Sequence, residues 1–222
     1  MSIGPDIKNT LEEVGSSYTI LRDSGNITGE YTWTKPNAQV TKPFIREFFL
    51  EGWFSYDTEA VVGDVLEMNT SGKKFLVMNK TPDLLENQIY RYSVVLYMCN
   101  VVADVLRPTD EDPDDRWRVA TSWDYVARGI NCLITTPLYG HELTREDELG
   151  FLEIEVYEMY AATSIGIRAL DRIRISSNQY YKVETVKPWR YEGVDVFELR
   201  EDTREIATTT STTTTTTTTT TA

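Results

Sequence analysis

The sequence has few of the residues on which metal sites and catalytic triads depend. Its 222 residues include one histidine, His141, and two cysteines, Cys99 and Cys132. A zinc site needs three or four such ligands at short spacing, and these three are scattered along the chain. A Ser/His/Asp triad would have to use His141, and no Gly-x-Ser-x-Gly motif accompanies it. We therefore expect no catalytic residue, no metal site and no bound cofactor.

Nucleotide-binding motifs are missing as well. Gly72 is followed by Lys73, but no glycine lies five residues before Gly72 and no Ser or Thr follows the lysine, so the phosphate-loop pattern is incomplete. The dinucleotide-binding glycine pattern is also absent. The 35 carboxylates leave a glycosidase-type pair of acids open as an alternative. The prediction is nevertheless a protein that is not an enzyme.

Long apolar runs are absent from the sequence. The longest are a few residues, which is too short to span a bilayer, and no basic start precedes an apolar stretch of the secretory kind. These features predict a protein without a membrane partner.

Basic residues are outnumbered by acidic ones. The chain has 22 Lys and Arg against 35 Asp and Glu, which gives a formal net charge of −13 and an isoelectric point near 4.6. An acidic surface repels phosphate, so the composition disfavours tight or sequence-specific binding of nucleic acid.

The residues that are abundant favour a packed β protein. Hydrophobic residues make up 41% of the chain, with 13 Tyr and 5 Trp. Residues 5–15 predict a short helix, because Ile7, Leu11 and Val14 fall on one face and Gly15 ends it. Beyond it, short runs of Val, Ile, Tyr and Phe alternate with turn residues, and 17–22 is a clear strand. We predict a mainly β fold of small barrel or sandwich units, with a short N-terminal helix and an extended C-terminal arm.

One window is ambiguous. In residues 117–133, the side chains of Trp123, Val126, Ala127 and Ile130 share one helical face, which predicts a short helix. A strand fits the same window almost as well.

Two segments of the chain resemble each other. In each, an alternating strand, a polar turn, a second strand, a proline and a third strand follow in order over residues 63–96 and 170–197. The matched positions fall at a nearly constant offset of 106 or 107 residues, as in Asp64 with Asp171, Phe75 with Tyr181, Val77 with Val183 and Pro82 with Pro188. This spacing predicts a duplicated β unit. The alternative, that any two hairpins of a β protein look alike, explains the pattern equally well.

The segment between these units is strongly acidic. Residues 107–116 contain two prolines and five acids, so they predict an exposed loop. The acids are Asp110, Glu111, Asp112, Asp114 and Asp115. A calcium loop is disfavoured because the regular Asp-x-Asp-x-Asp-Gly spacing is missing.

The chain ends in a tract of threonine. Residues 208–222 are thirteen Thr, one Ser and one Ala, a composition with strand propensity and nothing to bury. We predict an assembly arm that pairs with the sheet edge of another subunit. Thr208, Thr212, Thr216 and Thr220 are the expected contacts.

The chain as a whole is predicted to divide into five parts. They are an N-terminal segment (1–50), a first β unit (51–106), a connecting region (107–160), a second β unit (161–207) and the arm (208–222).

Two of these patterns resemble a known group of proteins. Residues 63–77 pair a Gly-Asp-x-Leu strand with a Lys-x-Phe-Leu-Val strand, and 171–188 pair Asp-Arg-Ile with Tyr-Tyr-Lys-Val and a closing proline. This arrangement is similar to the neck proteins of tailed bacteriophages, in particular the head–tail connectors called stoppers, adaptors or head-completion proteins. The likeness covers residues 60–100 and 165–204. The chain is about twice as long as the smaller stoppers and carries the additional arm.

The resemblance implies a structural protein of the virion neck that is assembled in the host cytoplasm. In that reducing compartment we expect Cys99 and Cys132 to stay unpaired. The resemblance also implies a homo-oligomeric ring between portal or adaptor proteins and tail-side proteins, through which genomic DNA passes. We expect the five acids of the connecting loop to face the lumen. The alternatives are a tail, tail-terminator, baseplate or decoration protein of such a particle, or a soluble β-barrel protein that binds or hydrolyses carbohydrate. Two tryptophans lining one cleft would favour the carbohydrate alternative.

Overall fold

The first described element is a helix, which packs against a β domain. The computed structural model describes residues 3–36, 48–109, 122–135 and 157–204. Helix α1 (Ile3–Val14) buries Gly4 and Leu11 and ends where the Gly15 N–H donates to the Leu11 carbonyl. This confirms the predicted N-terminal helix. No helix in the described ranges is long and apolar enough to cross a membrane.

Twelve strands follow in the described ranges, and the first six form a closed barrel, here barrel 1. Neighbouring strands run antiparallel in the order β1-β2-β3-β6-β5-β4, and β4 pairs back to β1. Its strands are β1 (Ser16–Leu21), β2 (Ile27–Pro36), β3 (Phe49–Ser55), β4 (Val65–Met68), β5 (Lys74–Leu85) and β6 (Gln88–Met98).

The next six strands form a second closed barrel, barrel 2. Its order is β7-β8-β9-β12-β11-β10, which is the order of barrel 1 with every strand moved on by six. Its strands are β7 (Val101–Thr109), β8 (Ser122–Thr135), β9 (Tyr157–Ala162), β10 (Arg172–Ser176), β11 (Gln179–Lys187) and β12 (Val194–Glu201). The mainly β fold of small barrels is therefore confirmed, and the two resembling segments are β4–β6 and β10–β12.

The two barrels also share a detailed feature, an Arg–Asp pair at the end of the first strand. In barrel 1, Arg22 donates from Nε and one terminal nitrogen to Asp64 at 3.0 and 2.6 Å. In barrel 2, Arg107 does the same to Asp171 at 2.9 and 2.8 Å. Each aspartate also accepts from the backbone N–H three residues before it. Identical strand order and an identical ion pair support an internal duplication.

Each barrel has its own apolar interior, and a third apolar cluster joins them. Barrel 1 encloses residues such as Tyr18, Phe54 and Leu96, and barrel 2 encloses residues such as Ile173 and Phe197. Between the barrels, buried side chains of both meet in one cluster: Leu76, Met78, Leu133, Tyr160, Val194 and Val196. The outward face of part of each barrel is therefore core rather than surface.

The helix predicted in the ambiguous window is wrong, because residues 122–135 form β8. The helical spacing of its apolar residues arises from irregular pairing with β7, where the register shifts twice between Ala103 and Leu106. Gly129 also takes a left-handed backbone conformation, with φ at 65°. Extra residues at such shifts break the two-residue alternation of a strand and imitate a helical period.

The barrels divide the chain differently from the predicted segments. Barrel 1 draws its first three strands from residues 16–55, and β7 of barrel 2 begins at Val101, with two residues between it and Met98 at the end of β6. Most of the acidic connecting loop and the whole threonine arm lie outside the described residues.

Candidate functional site

All residues predicted as site residues lie outside the described part of the chain. This holds for the five acids of the loop and for the four threonines of the arm: Asp110, Glu111, Asp112, Asp114, Asp115, Thr208, Thr212, Thr216 and Thr220. Their roles stay predictions. The described residues instead present three other features, which are an aromatic face, a cleft and an anchored chain end.

The aromatic face lies on the outside of barrel 1. Trp33 of β2 and Trp53 of β3 are paired in register, and their rings stack with centroids 4.5 Å apart at 20°. The Arg91 guanidinium lies 4.1 Å from the Trp53 ring, so Trp53 is in contact with two stacking partners. Asp83 fixes Arg91 by accepting a 2.6 Å hydrogen bond from its Nε. The result is an ordered, partly exposed surface of aromatic and cationic groups.

A hairpin continues this face. Strands β5 and β6 stay paired as far as Leu85 and Gln88, and the two residues between them, Glu86 and Asn87, have φ of 49° and 63°. Two left-handed residues in a row are typical of the tight type I′ turn. Three aliphatic side chains are exposed near this tip: Leu84, Leu85 and Ile89. Exposed aliphatic groups beside exposed tryptophan mark a surface that suits contact with another protein.

A shallow hollow of about 200 Å³ lies beside the tryptophans. Polar side chains of four strands line it together with the rings, including Lys35, Glu51, Asn79 and Ser93. Trp33 and Trp53, twenty residues apart in the sequence, thus share one hollow, as the carbohydrate alternative requires.

The second feature is an open cleft of about 830 Å³ between the two barrels. The Arg22–Asp64 pair lies in its wall, and the hydrogen bond to Asp64 raises the pKa of Arg22. Arg128 of β8 lines the opposite side with its guanidinium 3.7 Å from the Tyr125 ring. Aliphatic side chains such as Val126 and Ile130 complete the lining. The cleft therefore carries the Arg22–Asp64 ion pair, one further cation, Arg128, and one further anion, Asp23.

The third feature anchors the last described residues to barrel 2. Arg172 is 1% exposed, donates to Asp202 at 2.6 Å and to the Arg204 carbonyl at 2.8 Å, and lies 3.9 Å from the Trp123 ring. Arg204 donates to the same carboxylate and also stacks on Trp123. Burial raises the pKa of Asp202, but the hydrogen bonds from Arg204 and Arg172 outweigh it and lower the pKa to about 2. The chain therefore leaves barrel 2 from a fixed point.

The described residues show no cluster of metal-binding groups, and burial raises the pKa of their thiols. Among them, no three His, Cys, Asp or Glu side chains are grouped to hold a metal ion. Both cysteines are free, and burial raises the pKa of each thiol to about 12, so neither is a ready nucleophile. Burial also raises the pKa of Tyr18 and of Tyr160, whose hydroxyls are hydrogen-bonded inside the protein.

Comparison with known proteins gives no relative. No protein-family profile matches the chain, and no curated protein does. Among solved structures, K. pneumonia MrkH in its apo state aligns with 91% of this chain and 84% of its own at 8% identity, with a TM-score of 0.20. The MrkH–c-di-GMP complex aligns with 89% and 84% at 6% identity, with a TM-score of 0.17. Similarity at this level carries no argument about fold or function.

The aromatic face could not be found from the sequence. Trp33 and Trp53 look dispersed there, and only the strand register places them side by side. The one usable signal is alternation, because Tyr31, Trp33 and Lys35 occupy every second position of β2 and so share its outer side.

Proposed function

We propose that the chain is a non-enzymatic structural protein of a tailed-bacteriophage virion, which forms a homo-oligomeric ring at the neck. The observation that carries the proposal is the aromatic face of barrel 1 and its apolar hairpin tip. Clustered tryptophan, arginine and aliphatic side chains are enriched where subunits bind each other. A protein whose main surface feature is such a face fits an assembly role.

The charge of the chain fits a conduit for DNA. A ring wall with a net charge of −13 per subunit repels phosphate, so the genome passes without binding at any sequence. In this role the ring contacts portal or adaptor proteins on the head side and tail proteins on the other. The acidic loop between β7 and β8 faces the lumen.

The anchored chain end fits the predicted arm. Because Arg172, Asp202 and Trp123 hold Arg204 in place, the last described residue is fixed on barrel 2. The threonine tract begins four residues later in the sequence, and its β propensity suits it to add a strand to a neighbouring subunit.

Inactivating the gene in the virus that encodes the chain tests this role. We expect electron microscopy of the lysate to show separate heads and tails, with assembly restored by a plasmid copy. Complete, infectious particles without the protein would contradict the neck role. Particles that lack only a tail tip or a surface decoration would move the protein to a baseplate or decoration role in the same kind of particle.

The hollow beside Trp33 and Trp53 favours one other candidate, a carbohydrate-binding protein. Sugars stack on open tryptophan faces, whereas Trp53 is already in contact with Trp33 and Arg91. Binding of glycans on an array that is lost in Trp33→Ala, with the neck role failing, would favour this candidate.

A further inference from the structure

The contact between the two barrels joins different faces of the same fold. Barrel 1 contributes outward side chains of β5 and β6, while barrel 2 contributes side chains of β8, β9 and β12. Tyr97 of barrel 1 and Tyr160 of barrel 2 meet there edge to face, with centroids 5.6 Å apart. A contact between unlike faces is heterologous. Barrel 1 therefore still has, unused, the face that corresponds to the one barrel 2 contributes, and barrel 2 still has the face that corresponds to the one barrel 1 contributes.

Strand register identifies the unused face of barrel 1. In barrel 2, Tyr160 is paired with Leu133 on one side and Val196 on the other, and Val196 is paired with Lys187. In barrel 1, Trp53 is paired with Trp33 and Ser93, and Ser93 is paired with Thr81. Thr81 and Lys187 are 106 residues apart, the offset of the repeat. The Trp33–Trp53 stack is therefore the counterpart of Leu133 and Tyr160, which barrel 2 buries.

Strand register also identifies the unused face of barrel 2. The counterparts of Leu76, Met78 and Tyr97 at the repeat's register are Lys182, Glu184 and Arg200. These side chains are partly exposed and charged, with Glu184 3.2 Å from Lys182 and 3.0 Å from Arg200. Arg200 thus takes the place of the tyrosine that meets an aromatic ring in the contact between the barrels.

The turns beside these faces match as well. Between the barrels, Gly63 and Gly193 pack backbone to backbone, such that a Cβ on Gly63 would lie 2.5 Å from the Gly193 carbonyl oxygen. Leu170 is the counterpart of Gly63. The Gly63 N–H donates to the Val77 carbonyl and the Leu170 N–H donates to the Val183 carbonyl, which are matched positions of the repeat. Both residues have a left-handed φ. Leu170 is 57% exposed. The counterpart of Gly193 is Tyr90, because it lies three residues before Ser93 as Gly193 lies three residues before Val196, and Ile89 is next to it in the β5–β6 hairpin.

We propose that the chain binds a second copy of itself by repeating its internal contact. The face of barrel 1 formed by Trp33, Trp53 and the hairpin tip receives the face of barrel 2 formed by Lys182, Glu184, Arg200 and Leu170 of the next copy. Arg200 then meets the tryptophans as a cation on an aromatic surface, and Leu170 is covered by the tip. Glu184 meets the side that carries Arg91 and Lys35.

This contact rests on the proposed ring and specifies how it is built. A heterologous contact that is repeated from copy to copy closes into a ring when its rotation allows closure. It also covers the exposed apolar groups of both faces, which a monomer leaves in water.

Paired cysteines test the contact in the full-length protein. In the double variant Ile89→Cys/Leu170→Cys, mild oxidation is expected to give a ladder of disulfide-linked multimers on a non-reducing gel, because the two positions face each other between copies. Val14→Cys/Leu170→Cys is the control, since Val14 is more accessible than Ile89, at 69% against 39% exposure, but lies on α1, outside both faces. Cys132 is buried and Cys99 is half-buried, and burial raises the pKa of both thiols, so they contribute little background.

Charge placed on the face gives a second readout. We expect Trp33→Glu to raise the concentration needed for oligomers, measured by native mass spectrometry and sedimentation, at least about tenfold. Val102→Glu, which alters another exposed side chain away from both faces, should leave it unchanged. Circular dichroism establishes that both variants fold.

Three results would overturn the contact: a wild-type chain that stays monomeric at its solubility limit, oligomers without a ladder in the Ile89/Leu170 variant, or oligomers that are indifferent to Trp33→Glu. A monomeric wild-type chain would also count against the ring, whereas the neck position depends on the gene-inactivation phenotype and is left standing by all three results. A ladder and a Trp33 effect in a protein that is dispensable for joining heads to tails would instead retain the contact and refute the neck role.

Discussion

Arg172 is the largest side chain that is fully buried in the described ranges, and its charge is matched by Asp202. Removing one partner of a buried pair leaves the other in a poor environment, whereas exposed pairs contribute little. Arg172→Met should therefore lower the free energy of unfolding by about 3–5 kcal/mol. Arg174 and Asp104 form a pair that is more exposed than the pair of Arg172 and Asp202. Arg174→Met should therefore lower the free energy of unfolding by about 0–1 kcal/mol. Urea denaturation of both variants makes the comparison, and equal losses would contradict the role given to Arg172.

The same cluster predicts a pH dependence. The folded-state pKa of Asp202, about 2, lies below the ordinary value of 3.8, so folding favours the ionised carboxylate. Its stabilising contribution is complete above the unfolded-state pKa and is lost as the pH falls from about 4 to about 2. Asp202→Asn should thus be less stable than wild type at pH 7, and the difference should shrink across that window. A difference in unfolding free energy that stays constant from pH 7 to pH 2 would argue against this ionisation.

At the scale of the elements, the turns at Gly63 and Gly193 decide how closely the barrels approach. Gly63→Ala places a methyl group against the Gly193 carbonyl, whereas Gly72 has a similar left-handed φ and open space around it. Gly72→Ala should cost about 1–2 kcal/mol for the backbone conformation alone. Gly63→Ala should cost clearly more, because the clash adds to that term. Thermal unfolding of the two variants measures the difference, and equal costs would mean that the turns separate freely.

Several elements could be predicted from the sequence because their signals are local. α1 and β1 follow from local periodicity and a glycine stop, and the repeat at offsets of 106 and 107 corresponds to β4–β6 and β10–β12. β8 could not be predicted, because its register shifts disguise the alternation. The Trp33–Trp53 face depends on pairing between β2 and β3, which the spacing of two tryptophans does not encode.

For the whole molecule, the buried cluster between the barrels predicts that they unfold together. Calorimetry of the wild type should show a single transition, because separating the barrels exposes Leu76, Leu133 and Tyr160 to water. Leu133→Asp buries an unpaired charge in that cluster and should split the transition in two. Val105→Ala, inside barrel 2, should lower the midpoint and keep one transition. Two transitions in the wild type would show that the barrels are independent.

The placement of the molecule in a particle is the central claim, and immunogold electron microscopy of purified virions with an antibody against this chain tests it most directly. We expect gold label confined to the junction between head and tail. Label along the tail or over the head would contradict the neck position while keeping a virion role. Particles of the encoding virus that carry no label, from a lysate in which the protein is present, would contradict the structural role altogether.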